Sequence, residues 1–381
     1  MDQETLWGHE MRLDGSSIHT RYVERNAVHL PINDLTNIRR FQMLTKKIFT
    51  IFTVALFVFC GLLLTPKPSV AAKITLKVSH QFAAGDVRDL MAHAFGDMVT
   101  KKTNGEIKFR YYPAKSLYKP KEQWDAMRNG ALDMAVLPLD YVSGKIPQLS
   151  ITLMPCAVTS VQQGATWRNK PIGKKVAALM EKNGVRNVVW AWFNGGIGCK
   201  VRQVVLPQDV KGLKMRAAGK KFEYMLKEAG ASITSMPSSE AYHALATGVL
   251  NAMLTSSASF VSYKLYEVLK YINIPRDYSI WYMAENLIMS EKTWKRLTPK
   301  QQQAFMETSE WIHDKWIPQH FKGLVDKEID AFTKAGADIH YMTKGEFDQW
   351  LAFAKKTAWK NFAQTVPGGQ ELLDLALDAM K

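Results

Sequence analysis

The stretch ITLKVSHQFAAGDVRDLMAHAFGDMVTKKTNGEIKFRYY, Ile74–Tyr112, changes its hydrophobic period twice. ITLKVS (Ile74–Ser79) alternates as a strand does. After a turn at Ala83–Asp86, the residues Val87, Leu90, Met91, Ala94, Met98 and Val99 share one helical face, and Asn104–Gly105 stops that helix. EIKFRYY (Glu106–Tyr112) makes the next strand. Pro120 suits the first position of a helix bearing Trp124 and Met127, Asn129–Gly130 ends it, and LDMAVL (Leu132–Leu137) is a third strand. This β-α-β-α-β order predicts an α/β fold with a parallel sheet and helices on its faces.

The order recurs downstream. Pro171 opens a helix that ends at Asn183–Gly184, and VRNVVWAWF (Val185–Phe193) reads as a buried strand. NGGIG (Asn194–Gly198) reads as a glycine loop suited to a hinge. In KGLKMRAAG (Lys211–Gly219), Leu213, Met215 and Ala217 fall on one strand face, with Lys214 and Arg216 on the other. A helix bearing Phe222, Met225, Leu226 and Ala229 follows, then the strand ASITS, a helix after Pro237, and the strand VLNAML. An arginine at the end of a strand either points into a crevice or sits in solvent, and the residues alone leave both readings open.

The C-terminal third reads as helical. Thr298-Pro299-Lys300-Gln301 is a capping box with proline in the first turn. Its helix is expected to run to about Lys334 with an interruption near Pro318. At 1.5 Å per residue that spans about 50 Å, enough to brace two domains. Thr343-Lys344-Gly345-Glu346 repeats the capping logic before Phe347, Trp350, Leu351 and Ala354.

The N-terminus points to export. Lys46 and Lys47 precede an apolar run from Ile48 to Leu64, closed by the small residues SVAA, so a signal peptide over 43–72 is expected, cleaved between Ala72 and Lys73. The run is short for a membrane span, which needs about 20 residues. Bulky Phe59 before Cys60 disfavours lipidation. Residues 1–42 lack a pattern, whereas MLTKKIFTIF is an ordinary signal-peptide start. Translation is therefore expected to begin at Met43, with 1–42 an untranslated upstream extension. The first 72 residues carry 8 Lys/Arg and 6 Asp/Glu, so the mature chain keeps +15 − 2 = +13. That charge is dispersed and comes with no nucleic-acid motif; it suits steering of anions. Cys156 and Cys199 fit either a disulfide or two buried thiols.

Catalytic signatures are missing. His313 and His320 lie seven apart with no carboxylate or cysteine at ligand spacing, so no metal is expected. NGGIG resembles neither a phosphate loop nor a dinucleotide turn, and no serine sits in a G-x-S-x-G elbow. A binding protein without cofactor fits better than an enzyme. The other readings are a ligand-presenting module for a membrane sensor kinase and an exported enzyme built from scattered residues.

Four segments in order carry a resemblance: FGDMVTKKTNGEIKFRYYPAKSL (95–117), VKGLKMRAAG (210–219), MPSSEAYHALATGVLNAM (236–253) and YEVLKYIN (266–273). They are similar to the extracytoplasmic receptors of tripartite ATP-independent periplasmic (TRAP) transporters over nearly the whole mature chain. The resemblance implies a two-lobed periplasmic binding protein fold with a hinge and a long helix crossing both lobes. Lobe I is then 73–192 plus 282–321, and lobe II is 193–281 plus 322–381. It also implies a periplasmic receptor that passes a small organic acid to membrane symporter subunits, with Arg216 binding the carboxylate through two parallel donors.

The departures bear on the ligand. Sugar-acid receptors often carry a second arginine where this chain reads NGGIGC (194–199). Ser238 stands where an aromatic is expected after MP, and Asn251, Ala252, Leu254 and Thr255 replace the usual DG…EN. Fewer charged and amide groups suggest a monocarboxylate with an apolar or aromatic body. His80, Gln81 and Phe82 after the first strand, and Thr255, Ser256 and Ser257 after VLNAML, are candidate contacts. Tyr141, Trp192 and Phe193 are candidate apolar walls, or plain core.

Overall fold

The computed structural model describes residues 41, 43–46, 49–50 and 73–380, so the readings of the start site, the leader and its cleavage lie almost wholly outside the described residues. No helix among the described residues is long and apolar enough to cross a membrane.

The alternating strands become a sheet as expected. β1 (Ile74–His80) pairs in parallel with both β2 (Ile107–Tyr112) and β3 (Met134–Pro138). A second parallel set follows from the same pattern downstream: β6 (Lys214–Ala217) lies between β7 (Ser232–Ser235) and β8 (Ala252–Ser256). The run read as one strand over 185–193 is two. β4 (Val185–Val189) ends before Trp190–Ala191, and β5 (Trp192–Cys199) begins after it. β9 (Tyr271–Ile274) pairs with β5 and with β11 (Asp338–Tyr341).

β10 (Trp281–Ser290) joins the two sets. Its first residues, 281–284, pair with β5, and 285–290 pair with β3 and β4. At the changeover Glu285 N donates to Ala191 O at 2.8 Å, and Ala191 N donates to Asn286 Oδ1 at 3.1 Å. Two neighbouring antiparallel crossings, at Trp190–Ala191 and at Glu285, thus connect the lobes.

NGGIG is strand and not loop. A Cβ on Gly195 would fall 2.0 Å from the Thr255 carbonyl oxygen, and one on Gly196 would fall 2.1 Å from that of Asn273. Glycine is required here because β8 and β9 press on β5, and a segment without side chains shows no period by which to read it as a strand.

The helix Val87–Lys102 forms where expected but is rotated. Its buried stripe is Arg88, Met91, Ala92, Phe95 and Val99, while Leu90 is exposed. Pro299–Trp311, with the capping box at Thr298 as read, continues through a π-helical turn (Ile312–Trp316) into Ile317–Phe321. Pro318, which has no N–H to donate, stands just after this wide turn. The break falls later, at Lys322–Gly323, where Gly323 has φ +78°, and Leu324–Lys334 resumes. The first part packs on Val87–Lys102 and β4, and the last on Ser257–Ser262, β9 and β11, so the helix crosses both lobes. The final helix, Gly369–Asp378, lies on Pro171–Lys182, where Lys175 pairs with Glu371, and Trp359 Nε1 donates to Pro155 O at 2.8 Å. The tail assigned to lobe II therefore clasps lobe I as well.

Gly196→Ala forces its Cβ onto the Asn273 carbonyl and is expected to cost about 1–3 kcal/mol in urea unfolding. Gly144→Ala meets nothing within 4 Å and serves as the control, within about 0.5 kcal/mol of wild type.

Candidate functional site

The C-terminal ends of β1, β3, β6 and β8 meet between the lobes, where open α/β sheets place their ligand contacts. Arg216, on β6, is 1% exposed. Its Nε donates to Met236 O at 2.9 Å, Nη1 to Leu254 O at 2.7 Å and Nη2 to the Tyr141 hydroxyl at 2.8 Å. A guanidinium has five N–H donors. The three bonds leave one further N–H on each terminal nitrogen. The buried reading of Arg216 holds, against the solvent-facing one.

Tyr141 follows β3 in the short turn Leu139–Val142. Besides Arg216, its hydroxyl accepts from Ser238 N at 3.0 Å and from Gln81 Nε2 at 3.3 Å, and it donates to Ser238 Oγ at 3.4 Å. Its polar end therefore faces the cluster, and it is more than an apolar wall. Gln81 O accepts in turn from Tyr263 Oη at 3.2 Å.

A second buried arginine stands beside this group. Arg88 Nε and Nη2 bond both oxygens of Asp86 at 2.7 Å each, and Nη1 reaches Glu285 at 2.6 Å. Nη1 also reaches the hydroxyls of Ser256 and Ser259 on the other lobe, at 3.1 and 3.0 Å. Phe82 lies 3.7 Å from the guanidinium carbon and Phe193 5.2 Å. Burial opposes the charge on Arg88, but Asp86 and Glu285 outweigh it and raise its pKa. Burial likewise pushes Glu285 above the usual carboxylate range, against the pull of Arg88. Asp86 stays below that range, because Arg88 overcomes its burial.

The remaining candidates divide. His80 is buried and bonds Asp89 through Nε2 at 3.0 Å, behind the cluster. Thr255 is buried in β8 opposite Gly196. Trp192 belongs to the core: its ring packs over Gly164 and edge-on to Trp167 at 4.9 Å. Ser257 turns to Glu328, a carboxyl that burial pushes up to about 8, and it stands apart from Arg216. Tyr141, with Gln81 and Ser238 bonded to its hydroxyl, joins Arg216, whereas Phe82, Phe193 and Ser256 gather on Arg88.

Sequence reasoning missed Asp86, Arg88, Glu285, Ser259 and Tyr263. Arg88 had a signal: it stands three and four residues before Met91 and Ala92, at the head of the stripe continued by Phe95 and Val99. The second arginine absent from NGGIGC is thus matched by one from another element, already committed to two carboxylates.

The cluster lies between two grooves, each lined from both lobes. One, of about 320 Å³, is lined by Ala83–Val87, Leu90, Ala258, Val261, Ser262, His320, Leu324 and Lys327. The other, of about 310 Å³, is lined by Asp140, Tyr141, Lys145, Gly219, Lys220 and Glu223 among others. Here Asp140 presses on Gly219: φ is +87°, and a Cβ there would fall 1.1 Å from Asp140 Oδ2. Among the described residues no group of three metal-ligating side chains occurs, and Cys156 and Cys199 are buried free thiols.

Two α/β lobes whose strand ends close on a buried, donor-bearing arginine are the architecture of a solute receptor. Residues 78–365 match the family of bacterial extracellular solute-binding proteins, family 7. The chain belongs to this family. Its members are receptors and not enzymes. A solute-binding protein of Albidiferax ferrireducens is 38% identical over 309 residues, 79% of this chain and 90% of that one. A TRAP periplasmic solute-binding protein from Rhodoferax ferrireducens, solved with bound malonate, is 37% identical with a TM-score of 0.76, covering 80% of this chain and 98% of that one. A marine metagenome TRAP receptor, solved with 3-hydroxybenzoate, shares the fold at 21% identity and a TM-score of 0.73, covering 81% and 98%.

Burial, reinforced by Glu223, pushes Asp140 up to about 7 from 3.8, against hydrogen bonds from Ser143 and Ser150 and the nearby Lys220. The native state thus holds the proton more tightly than the unfolded chain. The charge costs nothing below about pH 4, an increasing amount up to pH 7 and its full amount above, at most about 4 kcal/mol. Asp140→Asn should therefore match wild type at pH 4 and become progressively more stable than it up to pH 7, then level off. Melting curves across pH 4–8 check this; a constant offset would refute it.

Proposed function

We propose that this chain is an exported periplasmic receptor that captures a small organic acid on Arg216 and delivers it to the membrane symporter subunits of a TRAP transporter. The observation that carries the reading is a buried arginine whose protein partners, two carbonyls and a hydroxyl, are all neutral. Closure works by population shift: an acid that touches groups of both lobes favours the closed arrangement, and the receptor returns it unchanged. The two crossings at Trp190–Ala191 and Glu285 are where the lobes bend.

The ligand we favour has one carboxylate and an apolar or aromatic body. Arg88 would have to surrender Glu285 or Asp86 to bind a second carboxylate, at the cost of a buried uncompensated charge. Phe82 and Phe193 are aromatic rings buried against Arg88. The malonate held by the Rhodoferax protein makes a small dicarboxylate the natural comparison.

Titration calorimetry of refolded, ligand-free protein against propionate, lactate, benzoate and malonate tests this reading. Arg216→Gln should weaken any acid that binds by about a hundredfold or more, and Arg216→Lys, which keeps the charge but loses the paired donors, by about tenfold. A monocarboxylate should bind better than malonate. Equal binding by Arg216→Gln and wild type would overturn the assignment. Export makes a second expectation: intact-mass measurement of the periplasmic protein should give a chain beginning at Lys73.

A further inference from the structure

Three N–H donors from three separate segments converge on one phenolic oxygen. Arg216 Nη2, Ser238 N and Gln81 Nε2 lie 2.8, 3.0 and 3.3 Å from Tyr141 Oη. A phenol oxygen is uncharged and has two lone pairs, and its own proton is spent on Ser238 Oγ. Three donors, one of them cationic, are the surroundings of an anionic oxygen. The hydroxyl has no capacity left to bond a further atom.

We propose that the Tyr141 hydroxyl is an internal occupant of the acid site. In the closed protein it holds the position that one carboxylate oxygen of the ligand takes, and the ligand must displace it. This deepens the reading of Arg216 given above and rests on it. The exchange is favourable because charge-assisted bonds to a carboxylate are about twice as strong as those to a neutral acceptor. The displaced ring also has somewhere to go. Tyr141 lines the groove of about 310 Å³ on the Gly219 side, and it sits on a four-residue turn and not inside a strand. Its neighbour Asp140 reaches the opposite lobe through Gly219, so the same turn presents two oxygen-bearing groups to lobe II.

The test is Tyr141→Phe, which keeps the ring and removes the oxygen, with propionate, lactate, benzoate and malonate as probes. The acid that wild type binds should bind the variant about tenfold tighter, because the competitor is gone. Merely loosening the fold does not raise affinity. Binding by the variant of an acid that wild type ignores would support the proposal equally. Unchanged or weaker binding overturns it, the latter showing that the hydroxyl helps to hold the ligand. Arg216→Gln separates the two levels. If it abolishes binding while Tyr141→Phe fails to tighten it, only this proposal falls. If Arg216→Gln binds as wild type does, or no acid binds either wild type or Tyr141→Phe, the Arg216 reading falls and this one with it.

Discussion

Arg88, a guanidinium with no exposed surface, finds its counter-charges inside the protein and sets the geometry of the cleft by doing so. Removing an ion from water costs several kcal/mol even after relaxation. Arg88 recovers that cost through both oxygens of Asp86 and through Glu285. Asp86 is the N-cap of the helix that carries Arg88. Glu285 stands on β10, at the residue where that strand passes from one sheet to the other. One cation thereby fixes the first helix of lobe I against the strand that both lobes share.

The same pairing explains why the two buried arginines are not equivalent. Arg88 faces two carboxylates at hydrogen-bond distance. Arg216 faces two carbonyl oxygens and a hydroxyl, so no anion touches it. Glu285 feels Arg216 only weakly compared with Arg88. The four charges sum to zero, yet the positive end of the group lies on the lobe II side. Arg216 is oriented by neutral acceptors and has no counter-ion at hydrogen-bond distance. Orientation without neutralisation is the electrostatic condition for a preformed anion site.

How much of this the sequence disclosed follows from what each feature depends on. The two parallel sheets, the capping boxes at Thr298 and Thr343 and the turn glycines are local, and the residues that make them are neighbours in the chain. The nature of NGGIG was not legible, because its glycines answer to the carbonyls of Thr255 and Asn273, some 60 and 77 residues away. The rotation of Val87–Lys102 was not legible either, since two overlapping apolar stripes fit the helix and only the sheet beneath it chooses. Arg216 was singled out by its place at the end of a strand and by the family resemblance. Arg88 went unnoticed because a charged residue in a first helical turn ordinarily faces water. Glu285 lies in an otherwise apolar strand, and its partner comes from almost 200 residues earlier.

The bonds that cross between the lobes in this cluster share a property that bears on motion. Among the described residues, the hydrogen bonds of Arg88 to lobe II go to the hydroxyls of Ser256 and Ser259. Arg216 and Ser238 reach lobe I only through the hydroxyl of Tyr141, and Gln81 O is met by the hydroxyl of Tyr263. Asp86, Arg88 and Glu285 all belong to lobe I or to the strand at its edge. Opening the cleft therefore separates hydroxyls from their partners and leaves every ion pair of the cluster intact. Such bonds contribute about 1–3 kcal/mol each, the larger values where an arginine donates, and water can replace them. Splitting a buried ion pair would instead cost about 3–5 kcal/mol and lock the lobes shut. With its salt bridges on one side of the cleft and its hydroxyls across it, the protein can part the two sides at less cost than splitting a buried ion pair would carry.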